Sequence, residues 1–72
     1  MNTIRSSQVA ANIRAEIARR RLSQRLVAEH LGISQPAFSA RMSGKTALDV
    51  DDLLAIADLL GVPAADLLKD AA

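Results

Sequence analysis

Few side chains in this chain could carry out bond-making chemistry. His30 is the single histidine of a 72-residue sequence that has no cysteine. With no second imidazole and no thiolate, neither a metal site nor a nucleophile–base pair is legible. The acids crowd toward the end, as Asp49, Asp51, Asp52, Asp58, Asp66 and Asp70. The first three of these sit where a helix begins, a place that favours negative charge without any catalytic purpose. The remaining chemistry is cationic. Residues 1–45 hold Arg5, Arg14, Arg19, Arg20, Arg21, Arg25, Arg41 and Lys45 against Glu16 and Glu29, a net of +6. Residues 46–72 hold Lys69 against the six aspartates, a net of −5. A formal total of +1 therefore hides a basic segment joined to an acidic one. Such a segment suits a polyanion, although Arg19-Arg20-Arg21 also suits an ordinary helix C-terminus.

The elements that must position these groups read as helices. Val9, Ile13 and Ile17 recur every four residues behind Ser6 or Ser7, which predicts a first helix of about 8–20. Ser23 opens a second, about 24–31, with Val27, Ala28 and Leu31 on its apolar face and Gly32 as its stop. Ser34 opens a third, about 35–42, with Pro36 in its first turn and Gly44 beyond its end. Asp49 with Asp52 reads as an acidic capping pair for a fourth helix of about 50–60, whose core face is Leu53, Ile56, Ala57 and Leu60. Gly61 ends that helix, and Pro63 opens a short fifth, about 64–69, containing Leu67 and Leu68. No stretch alternates with period two. The expectation is one all-α domain over residues 1–72, built from five short helices. A core this thin leaves no room for a large cofactor, and none is expected. No apolar run approaches the roughly 18 residues of a membrane span.

The second and third helices are joined by Gly32-Ile33-Ser34, too short a link for antiparallel stacking. A glycine in the left-handed region turns one helix sharply onto the next, and small Ala28 allows close approach. Ile33 and Phe38 would plug the angle between them. This is a helix-turn-helix, whose second helix can enter a major groove about 12 Å wide.

At these residues the sequence resembles the phage repressor/Cro-like, or XRE-type, helix-turn-helix family, with a lambda-repressor-like fold. Leu22-Ser23-Gln24, Val27-Ala28, Leu31-Gly32-Ile33-Ser34-Gln35, Phe38 and Gly44-Lys45 match its pattern without a gap. The likeness continues through Leu53, Ile56-Ala57, Leu60-Gly61-Val62 and Asp66-Leu67-Leu68, so it covers roughly residues 9–68. The resemblance implies a non-enzymatic protein of the bacterial cytoplasm, phage-encoded or not, that binds operator DNA as a homodimer. It implies no membrane and no small-molecule substrate.

Carried over position by position, the resemblance gives Gln35, Pro36, Ser39, Ala40 and Arg41 to the bases. Gln35 can pair with adenine N6 and N7, whereas Pro36 and Ala40 offer apolar contact alone. Ser23, Gln24, Arg25, Ser34, Ser43, Lys45 and Thr46 fall where the family grips the backbone. Gln24 would also buttress Gln35.

Two departures from the family stand out. Ile17 and Met42 replace a frequent arginine–glutamate pair together, so they are expected to touch in the core. Arg41 stands where an apolar residue is usual. Its head either swings to DNA or pairs with an acid such as Glu16. The expected function is repression of transcription through sequence-specific binding of duplex DNA. The alternatives are an autorepressing antitoxin, or an interaction module that keeps the fold without DNA binding.

Overall fold

The computed structural model describes residues 3–71. In chain order they form β1 (Thr3–Ile4), α1 (Ser7–Arg19), α2 (Gln24–Leu31), α3 (Gln35–Met42), β2 (Leu48–Asp49), α4 (Val50–Leu60) and α5 (Ala64–Leu67). The five expected helices are present, and three start and stop where their caps and glycines place them. Ser6, Ser23 and Ser34 accept the N–H of Val9, Leu26 and Ala37 respectively, so each hydroxyl satisfies one orphan donor of a first turn. Asp49 does the same for α4, accepting from the N–H of Asp51 at 2.9 Å.

The apolar stripes meet as their spacing requires. Val9, Ala10, Ile13 and Ile17 of α1 pack with Val27 and Ala28 of α2, Phe38 and Met42 of α3, and Leu53, Ile56, Ala57 and Leu60 of α4. Leu48 and Leu67 complete the core, and Phe38 is fully enclosed. Ile17 and Met42 are both buried in this cluster, as an uncharged replacement for an ion pair must be.

Three details differ from the sequence expectation. Thr3 pairs with Asp49 and Ile4 with Leu48 in a short antiparallel ladder. Strands of two residues are too short for alternation to show, and the ladder depends on pairs 44 and 46 positions apart. The fifth helix ends at Leu67, short of the expected 69. The carbonyls of Leu67 and Lys69 are taken instead by the amide Nδ2 of Asn12, at 3.0 and 2.8 Å. Asp70 follows in the left-handed region, at φ 63°. Finally, the first helix ends at Arg19 and the chain reverses through Arg21, at φ 57°. The N–H groups of Arg21 and Leu22 bond back to the carbonyls of Ala18 and Ile17, an arrangement that usually carries glycine at its left-handed residue.

Candidate nucleic-acid interface

The turn between α2 and α3 is built as its residues demand. Gly32 lies at φ 72°, and Ile33 N–H bonds back to the Ala28 carbonyl at 3.0 Å. Ile33 is half-buried against the core, and Ala28 is buried where α2 meets its neighbours. Phe38 anchors α3 from below. What remains of α3 is its outer side. Gln35, Pro36 and Ser39 are exposed there, with Ala40 half-buried beside them. At 100° per residue these four span about 140° of arc, starting with Gln35 about 20° from Met42 and running away from the Phe38–Met42 side.

Arg41 lies elsewhere on the same helix. Its stem is half-buried, its Nη1 donates to the Ala37 carbonyl at 3.3 Å, and its Nε lies 3.3 Å from Oδ2 of Asp52 on α4. The Nε–H does not point along that line, so the contact is an ion pair without a hydrogen bond. Of the two arrangements open to Arg41, this is the inward one, with Asp52 in place of Glu16. Glu16 is engaged by Arg19 and Arg20 on its own helix. Asp52 therefore does more than start α4, and the capping role belongs to Asp49 alone. Nothing in the sequence marks the Arg41–Asp52 pair, because it depends on how closely α3 and α4 pack.

The residues expected to hold phosphate fall in two places. Ser23, Gln24 and Arg25 are at the start of α2, and Ser34 is at the start of α3, beyond the turn that joins these helices. The Ser23 and Ser34 hydroxyls accept backbone N–H groups at 3.0 and 3.2 Å, which leaves each O–H free to donate. Arg25 is exposed and pairs with exposed Glu29 at 3.1 Å, a surface contact that yields readily to a stronger anion. Ser43, Lys45 and Thr46 form the turn after α3. Ser43 donates to the Ala40 carbonyl at 3.1 Å and accepts from the Lys45 N–H at 3.4 Å. The Thr46 N–H also bonds the Ala40 carbonyl, so the turn is folded tightly onto the helix end. Gly44, at φ 81°, allows it.

The electrostatics divide the cations. Arg19 and Arg20 are partly neutralised by Glu16, Arg25 by Glu29 and Arg41 by Asp52. The hydrogen bond from Arg20 holds the Glu16 carboxyl below the usual glutamate range. Partial burial opposes this, and the charges of Arg19 and Arg20 reinforce it. Among the described residues, Arg5, Arg14, Arg21 and Lys45 have no acidic partner. No group of three acids or imidazoles is placed to hold a metal ion within the same residues. Among the described residues, no helix is long and apolar enough to cross a membrane.

A sequence profile described as a helix-turn-helix domain matches residues 8–69. The chain belongs to the helix-turn-helix domain family. That span covers α2 to α5 and all of α1 except Ser7, and β1 lies outside it. Searches among curated proteins and solved structures returned no match. The family assignment agrees with the expected all-α architecture, and a helix-turn-helix domain implies DNA binding in general terms.

Proposed function

We propose that this helix-turn-helix domain binds duplex DNA in a sequence-specific manner, with α3 in the major groove, and represses transcription from the site it covers. The observation that carries the reading is the presentation of α3. A left-handed glycine turns the helix outward, Phe38 and Met42 hold its inner side, and its outer side shows Gln35, Pro36, Ser39 and Ala40. No acidic side chain occurs anywhere on α3 to repel a phosphate backbone.

In this reading Gln35 is the principal base reader, pairing with an adenine edge through its amide. Ser39 adds one hydroxyl, and the faces of Pro36 and Ala40 give apolar contact to a thymine methyl. Ser23, Gln24, Arg25 and Ser34 hold one stretch of backbone, while Ser43, Lys45 and Thr46 hold another. Arg41 acts from behind, fastening α3 to Asp52, and so positions the readers without touching a base. Binding as a homodimer on a palindromic site of the bacterial cytoplasm, in a repressor or an autorepressing antitoxin, follows the same resemblance.

The test is a selection of binding sites from random duplexes, followed by titrations across salt. A preferred palindrome and a log–log slope several units negative are expected. Gln35→Ala should relax preference at one base pair and cost about 1–3 kcal/mol there, whereas Lys45→Ala should weaken all sequences alike. Loss of preference spread over every position after Gln35→Ala would remove that residue as a reader. A second reading draws on the scarcity of strong readers and on exposed Leu26 and Leu54: an interaction module without DNA binding. It expects no shift of any duplex and no dependence on salt.

A further inference from the structure

The ladder between β1 and β2 lays the start of the chain against the turn after α3. A methyl group built on Gly44 would lie 4.0 Å from the backbone carbonyl of Arg5, with no other atom nearer. From another direction Arg14 reaches out of α1 to the end of α3, its Nη1 donating to the Met42 carbonyl at 3.3 Å. Lys45 is the residue after Gly44. Arg5 by its backbone and Arg14 by its guanidinium are thus placed beside the turn of residues 43–46, which itself carries Lys45. All three are exposed.

Nothing acidic answers them among the described residues, although Arg19, Arg20, Arg25 and Arg41 each have a carboxylate within reach. Register puts Asp49 opposite Thr3, two residues before Arg5. Its carboxylate is committed to the N–H of Asp51. Gathering like charges costs free energy in the isolated domain and gains it back when an anion arrives. The Met42 carbonyl fixes Arg14 through one nitrogen only, which leaves the rest of its guanidinium fork open.

We propose that Arg5 and Arg14 join Lys45 in a cationic clamp on the DNA backbone, at the C-terminal end of α3. The proposal rests on the DNA-binding reading above and adds to it two residues that the helix-turn-helix motif does not contain. One of them, Arg5, lies outside the residues matched by the family profile. The ligand is the phosphodiester chain of the same duplex whose bases α3 reads.

The experiment uses the full chain and the duplex selected by the unaltered protein. Binding is titrated from low to moderate salt for the unaltered chain and for Arg5→Ala, Arg14→Ala and Arg14→Lys. Each alanine variant should bind all duplexes more weakly and flatten the log–log slope by about 0.9, the share of one released counterion. Arg14→Lys should restore most of the slope, because it keeps the charge and alters the bond to Met42. Lys69→Ala, on the acidic segment, should keep the original slope. Thermal unfolding of each variant identifies any that fails to fold, and Arg5→Gln then takes the place of a misfolded Arg5→Ala. Slopes equal to that of the unaltered chain in both alanine variants would overturn the clamp while leaving DNA binding intact. Absence of DNA binding by the unaltered chain would overturn both.

Discussion

Individual side chains in this domain do unequal electrostatic work. Glu16 is the clearest case, a carboxylate flanked by two guanidinium groups on consecutive positions of one helix end. Its carboxyl titrates below the usual glutamate range in the folded state. A depressed folded value means that the group stabilises the fold above its unfolded value and loses that contribution as pH falls through the folded one. Chemical unfolding followed between about pH 6 and pH 3 should show stability falling more steeply for the unaltered chain than for Glu16→Gln. Parallel curves would mean that the two arginines do not hold the carboxylate in solution. The Arg41–Asp52 pair is of another kind, since both groups are mostly shielded and each comes from a different helix. Its worth lies less in net stability than in fixing the angle at which α3 is presented.

At the scale of the element, three helices end through the same device with different residues. Gly32 after α2 and Gly61 after α4 lie near φ 70°, and Arg21 after α1 lies at 57°. No heavy atom comes within 4 Å of a methyl group built on Gly32, so the cost of a side chain there is backbone strain alone. Gly32→Ala should lower stability by about 1 kcal/mol, read by urea unfolding. Arg21→Gly should act in the opposite sense, gaining about 0.5 kcal/mol once the added freedom of the unfolded chain is counted. A loss on that second substitution would show that the arginine side chain stabilises the turn through contacts of its own.

These endings also explain what was legible beforehand. Capping serines and stop glycines act within four or five residues of where they stand, so α2, α3 and α4 could be read from the sequence at full length. The outward residues of α3 came from the family resemblance and not from these local rules. Arg21 could not be read as a stop, because arginine rarely occupies that conformation. The ladder, the partner of Arg41 and the neighbours of Arg5 depend on packing between distant segments, which no local pattern records.

At the scale of the whole molecule, α1 ties distant parts of the chain together. It buries four residues in the core, and Arg14 reaches the end of α3 from it. Asn12 spans 55 and 57 residues to the carbonyls that finish α5, and its own Oδ1 accepts from Gln8 at 2.9 Å. Replacing Asn12 by alanine leaves a partly buried carbonyl without its donor, a loss of about 1–2 kcal/mol. The consequence is one of timing. Most of this domain is helix, and helices form from neighbouring residues, so its transition state for folding can be reached before the two ends of the chain meet. The Asn12 bracket is then a late contact, and Asn12→Ala should leave the refolding rate nearly unchanged while unfolding accelerates about five- to thirtyfold. Stopped-flow chevrons for the two proteins decide this. The side chain that joins the first helix to the last would thus act as a brake, governing how long the folded domain persists and not how quickly it assembles.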